Sequence, residues 1–139
     1  MNKQVSNSSH IAEISKKFRF EAAHRLPFVE QGHKCGRLHG HSFYATVCVR
    51  GHVNQNTGWF LDFSEISKAF APLLEKLDHN YLNEVKGLEN PTSENIALWI
   101  IENMKFNNAN VHYVTVEETC TSSCTVYAKD ILLQFSKTA

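Results

Sequence analysis

At 139 residues, with fourteen basic and fourteen acidic side chains, the chain has room for one domain around one core. A formal charge of zero argues against nucleic acid or an anionic membrane surface as a partner. The polar first ten residues lack the apolar centre of a signal peptide, and no apolar run approaches the ~18–20 residues that span a bilayer, so the expected location is cytoplasmic. Cysteines 35, 48, 120 and 124 form neither a CxxC pair nor a dense framework, which predicts reduced thiols.

Residues 1–13 read as a flexible N-terminal arm and 14–139 as a single domain. A first strand is expected over about 14–24, where Phe18, Phe20, Ala22 and His24 share an apolar face and Lys17, Arg19 and Glu21 lie on the other. Arg25-Leu26-Pro27 ends it. A loop then leads to Cys35-Gly36-Arg37-Leu38-His39-Gly40-His41, which runs into a second strand ending near Gly51. Phe43, Ala45, Val47 and Val49 alternate onto one face of that strand, and the same alternation carries back to His39 and His41. Imidazole is the commonest nitrogen ligand of zinc. Three inward histidines on two consecutive strands therefore predict a metal site of His24, His39 and His41. A tetrahedral zinc held by three residues keeps one open position, as catalytic sites do.

Asn54–Gly58 reads as a turn, with Trp59-Phe60-Leu61 closing the hairpin. Asp62 and Glu65 have the form of a capping box, followed by a helix with Phe63, Ile66, Phe70, Leu73, Leu74 and Leu77 on one stripe. Pro72 inside that pattern predicts a kink or an early break. Asp78-His79-Asn80 ends the helix. Thr92 is the expected cap of a second helix that buries Ile96, Trp99, Ile100 and Met104. Val114, Val116, Glu118 and Cys120 then alternate on a strand over 111–120, and a last strand is expected from Cys124 to about Phe135. The order β-β-α-α-β-β predicts an α+β domain: an antiparallel four-stranded sheet with two helices on one face. Its two long open edges favour edge-to-edge association into a homo-oligomer, a ring being the simplest form.

Three further polar features stand out. Glu118 follows two valines in the alternation and should project inward, either into an ion pair or as a hook for a ring with paired N–H donors such as guanine or pterin. Asp78-His79 places an acid beside a base at a helix end. Cys35, four residues before His39, admits three readings: a thiol activated by a nearby metal, a fourth zinc ligand, or a small loop residue. His10, His33, His52 and His112 read as ordinary surface residues.

Several segments together carry a resemblance: Phe20-Glu21-Ala22-Ala23-His24-Arg25-Leu26-Pro27, Gly32 to His41, Leu77-Asp78-His79, Asn90-Pro91-Thr92-Ser93-Glu94-Asn95 and Glu118-Thr119-Cys120. Over about residues 16–127 the sequence resembles the 6-pyruvoyltetrahydropterin synthase family, and more narrowly its bacterial branch in the queuosine pathway. The resemblance implies a tunnelling fold (T-fold), in which subunits join their sheets into a barrel and barrels stack into a homohexamer, a dimer of trimers. It implies Zn2+ on His24, His39 and His41, a catalytic cysteine at Cys35, a relay histidine at His79 with Asp78 orienting it, and Glu118 both anchoring the pterin ring and serving in the relay. The implied reaction converts 7,8-dihydroneopterin triphosphate into 6-carboxytetrahydropterin, releasing acetaldehyde and triphosphate.

Overall fold

A computed structural model describes residues 7–129 of the chain. Two long antiparallel strands, β1 (Asn7–His24) and β2 (His39–Asn54), form its spine. Helix α1 (Phe63–Leu77) follows, then a two-residue strand β3 (Asn80–Tyr81), helix α2 (Ser93–Asn103), and the hairpin of β4 (Val111–Thr119) and β5 (Ser122–Tyr127). The sheet order is β3-β1-β2-β4-β5, antiparallel except where β3 lies parallel to β1 at Ala22 and Ala23. The four expected antiparallel strands are present, and β3 adds a short fifth one that the sequence pattern does not announce. Two residues are too few for a period, and β3 exists because its neighbours Asp78 and His79 bond to β1.

The even positions of β1 and the odd positions of β2 bury Phe20, Ala22, Phe43, Ala45, Val47 and Val49, joined by Val114 and Val116 of β4. Onto this face α1 sets Ile66, Phe70, Leu73 and Leu77, and α2 sets Ile96, Ala97, Trp99 and Ile100. The rings of Phe18 and Phe70 stack at 4.1 Å, and those of Phe20 and Phe43 at 5.1 Å. Phe70→Ala removes a fully buried ring from the contact between α1 and β1. It should cost about 3–5 kcal/mol, read as a lowered denaturant midpoint at unchanged m-value.

Several boundaries differ from those expected. β1 begins at Asn7 rather than near residue 14, so part of the expected arm is strand. From Ile11↔His52 onward it pairs with β2 without a break, after an irregularity between Asn7 and Ile11. Helix α1 runs unbroken through Pro72. That residue is exposed, so the backbone bond it forfeits lies on the solvent side. Phe63 leaves the buried stripe and is 54% exposed. Asp62 caps α1 by accepting from the Ser64 N–H at 2.8 Å, while the Glu65 carboxylate faces Lys68 rather than completing the box. Thr92 caps α2, as expected, by accepting from the Asn95 N–H at 3.1 Å. Residues 59–61 return across the sheet without becoming a strand. β5 ends at Tyr127, and the remainder of the expected last strand, 130–135, lies outside the described residues. His112 is half-buried against Glu13, with Nε2 at 3.2 Å from its carboxylate, rather than an ordinary surface residue.

All four cysteines are free. Among the described residues no helix is long and apolar enough to cross a membrane.

Candidate metal centre

The paired ends of β1 and β2 bring the three histidines together. His24 lies opposite His39 and Ala22 opposite His41, so the inward alternation of both strands puts all three rings on the helix-covered face. Gly40 between the two β2 histidines sits against the opposite strand, where a Cβ would come within 3.3 Å of the Ala22 carbonyl oxygen. One ligand atom from each of His24, His39 and His41 lies within 4.8 Å of the others.

Their hydrogen bonds fix which nitrogen is free. His24 Nδ1 meets the Pro91 carbonyl at 2.9 Å, His39 Nδ1 the Arg37 carbonyl at 2.7 Å, and His41 Nδ1 the Ser42 carbonyl at 3.0 Å. A carbonyl only accepts, so each Nδ1 carries the proton and each neutral ring keeps its Nε2 lone pair. Burial pushes His24 below the ordinary histidine range, which favours that neutral form. Its Nε2 is buried and has no hydrogen-bond partner among the described residues. The Glu118 oxygen Oε1 stands 3.3 Å from His24 Nε2 and 3.6 Å from His41 Nε2. The contact with His24 is an ion pair only when that imidazole is protonated, a form that burial disfavours and the carboxylate favours. Three converging imidazole nitrogens beside a carboxylate oxygen are a set that a cation would satisfy. Three imidazoles tethered through Nδ1 are the donor set that zinc takes in catalytic sites, so the residues fit that ion.

Glu118 owes its place to a bulge. β4 pairs with β5 at Glu117↔Ser123 and next at Thr119↔Ser122, leaving Glu118 as the extra residue. Its second oxygen accepts a 2.6 Å bond from the Ser93 hydroxyl at the start of α2. Ser93 belongs to the site, and the sequence reading assigned it no role beyond its neighbour's capping. A serine beside a capping threonine carries no signal of which way its hydroxyl turns.

Asp78 and His79 are placed at the end of α1 and pinned to β1 near its C-terminal end. Asp78 Oδ1 accepts from the Glu21 N–H at 2.9 Å, and the His79 N–H donates to the Glu21 carbonyl at 2.6 Å. The backbone bond from Glu21, followed by the contact with His79, holds the Asp78 carboxyl below the usual range. His79 adopts φ 56°, left-handed for a non-glycine residue, with Nδ1 at 3.0 Å from Asp78 Oδ2. That contact leaves Nε2 of an exposed ring free to exchange protons. His79 and His41 line one cleft of 480 Å³, while His41 and Glu118 line another of 500 Å³.

Cys35 lies in a single 3-10 turn, Lys34–Gly36. Its N–H donates to His33 Nδ1 at 3.0 Å, and its carbonyl accepts from Leu26 N–H at 2.8 Å, closing the loop onto the end of β1. His33 is thus a capping residue. The cluster of ligand atoms consists of the three histidines and does not include the Cys35 thiol.

The profile of the 6-pyruvoyl tetrahydropterin synthase family matches residues 13–129. The chain belongs to that family. Among its relatives is the 6-carboxy-5,6,7,8-tetrahydropterin synthase of Synechocystis, 46% identical over 123 residues, which span 83% of this chain and 92% of that protein. The dihydroneopterin monophosphate aldolase of Pyrococcus furiosus is 38% identical over 96 residues, 69% of this chain and 77% of that one. The structure of Caenorhabditis elegans 6-pyruvoyl tetrahydropterin synthase superposes with a TM-score of 0.77 at 27% identity, covering 86% of this chain and 96% of that chain. The T-fold expected from the sequence is therefore the observed one.

Proposed function

We propose that the protein is a zinc-dependent lyase that converts 7,8-dihydroneopterin triphosphate and one water to 6-carboxy-5,6,7,8-tetrahydropterin, acetaldehyde and triphosphate. The observation that carries this reading is the convergence of three Nε2 lone pairs beside Glu118. The Synechocystis relative, similar over most of both chains and named a 6-carboxy-5,6,7,8-tetrahydropterin synthase, supports the choice of product. His24, His39 and His41 hold the zinc. When bound, zinc supplies Lewis acidity toward the hydroxyl oxygens of the substrate side chain.

The protein's own groups do the rest. Cys35, as thiolate, takes a proton from the side chain of the substrate. His79 gives or removes a second proton through Nε2, with Asp78 fixing its tautomer through Nδ1. Glu118 receives the paired N–H donors of the pterin ring in bidentate fashion and takes part in the relay, and Ser93 orients its carboxylate. The dihydropterin ring takes up the electrons that the side chain gives up, so the reaction needs no external redox cofactor.

The sheet bears on assembly as well. β3 covers only Ala22 and Ala23 of β1, and β5 forms the other edge, so most of β1 and all of β5 carry unpaired backbone groups among the described residues. Pairing of such edges between copies supports a cytoplasmic homohexamer built as a dimer of trimers. The product would feed 7-deazapurine synthesis in the queuosine pathway.

The test is the product mixture from zinc-loaded protein and 7,8-dihydroneopterin triphosphate. Acetaldehyde in equal yield with a carboxylated tetrahydropterin is the expected result. A pyruvoyl product without acetaldehyde would replace the reading with that of the pyruvoyl branch. Turnover of dihydroneopterin monophosphate alone would replace it with the aldolase activity named for the Pyrococcus relative.

A further inference from the structure

The ring of His41 is tethered to a carbonyl that the sheet itself does not hold. Glu21 lies opposite Ser42 across β1 and β2. The backbone N–H and carbonyl of Glu21 are taken by Asp78 and His79, on the side of β1 that faces β3. Glu21 and Ser42 are therefore a non-hydrogen-bonded pair, and the backbone groups of Ser42 point away from β1. On that far side the pairing of β2 with β4 ends at Tyr44↔Glu117, short of Ser42. The Ser42 carbonyl, which receives the His41 Nδ1 proton, thus lies where the ladder fixes it on neither side.

Side chains supply what the ladder omits. The Ser42 hydroxyl donates to both oxygens of the Glu21 carboxylate, at 2.7 and 2.9 Å. Arg19 holds the same carboxylate, with Nε at 2.9 Å from Oε1, and its other end reaches the Ser42 hydroxyl at 3.1 Å. These groups lie on the sheet face opposite the histidines. We propose that Glu21 is a positioning residue for the metal centre: by fixing Ser42 across the strand pair it fixes the carbonyl that sets the tautomer and direction of His41. This rests on the metal reading above and extends it to the open face of the sheet. Glu21 lines the cleft shared by His41 and His79, but its carboxylate bonds Ser42 and Arg19 rather than a ligand nitrogen. Its backbone bonds to Asp78 and His79 involve no side-chain atom of Glu21, so they do not depend on its carboxylate.

The experiment titrates zinc against a chromophoric chelator for the full-length protein and for Glu21→Ala, Glu21→Gln, Ser42→Ala, Ser42→Thr and the double Glu21→Ala/Ser42→Ala variant. The visible spectrum of the cobalt-loaded forms is recorded alongside. Loss of an outer partner of a metal ligand typically weakens affinity 10–100-fold. Glu21→Ala and Ser42→Ala should each lose about 10-fold in zinc affinity and shift the cobalt bands. The double variant should be no weaker than either single one, because both remove one link. Glu21→Gln still accepts from Ser42, and Ser42→Thr still donates, so both should keep the parent affinity. Ser42→Ala removes one oxygen from a half-buried position and keeps the test open even if Glu21→Ala perturbs folding. Parent affinity and spectrum in the alanine variants would overturn the inference. So would a double variant whose loss is the product of the single losses, or Glu21→Gln behaving like Glu21→Ala, which would make the effect one of charge. Failure of the metal reading itself shows separately, as a parent protein that binds no zinc or binds it unchanged after His39→Ala.

Discussion

His39→Ala should abolish zinc binding and turnover together while leaving the fold intact. Binding energies of about 10–16 kcal/mol for four-ligand zinc sites imply roughly 10²–10³-fold in affinity per ligand. The remaining two imidazoles should then release the ion to a modest chelator. Of the three ligands His39 is the cleanest probe. Its ring is half-buried, and among the described residues its hydrogen-bond tether is the local Arg37 carbonyl, two residues away. His24, by contrast, is 2% exposed and packs edge-on against Phe43 at 5.1 Å, so truncating it also opens a cavity. Metal content by atomic emission, the thermal midpoint of the metal-free protein and the rate of acetaldehyde release check the three parts of the prediction. A His39→Ala protein that keeps stoichiometric zinc would sink the assignment of the trio. Added zinc should raise the melting temperature of the parent far more than that of the variant.

The histidine cluster was legible in the sequence because its members obey the simplest rule of a strand. Period two links His24 to Phe20 and Phe18, and His41 and His39 to Phe43 and Ala45, and register does the rest once β1 and β2 pair. The helices were legible for the same kind of reason, through their caps and apolar stripes. Contacts between residues distant in sequence were not. Asp78 reaches Glu21 across 57 positions, and Ser93 reaches Glu118 across 25. The tethers of the three rings are main-chain carbonyls, which every residue has and no residue type advertises. Glu118 is instructive in another way. Simple alternation placed it inward, and it does face the histidines, but it does so from a bulge that breaks the alternation between Glu117 and Thr119. The early break that Pro72 admitted does not occur, because the cost of a proline depends on which side of the helix faces water, and that is set by tertiary packing.

Cys35→Ala should do the reverse of His39→Ala: keep the zinc and the fold, and lose turnover by roughly 10²–10⁴-fold, the range expected for removal of a positioned proton acceptor. The backbone of Cys35 does its structural work, since its N–H meets His33 and its carbonyl meets Leu26, and neither bond involves the thiol. Alanine can therefore occupy the turn without rearranging the loop that leads to His39. The thiol stands outside the group of atoms able to share one ion, so the metal has no ligand to lose. Cys35→Ser refines the test, because a serine hydroxyl is nearly isosteric but far less acidic than a thiol. It should restore little of the activity at neutral pH. If Cys35 instead closed a structural Cys-His₃ centre, both substitutions would strip zinc and lower the melting temperature, and the parent protein would unfold in chelator. Measuring bound metal and turnover on the same Cys35→Ala preparation separates the two. Zinc retained with activity lost assigns the cysteine to proton transfer, whereas zinc lost would convert an open catalytic site into a closed structural one and remove the coordination position that the proposed reaction requires.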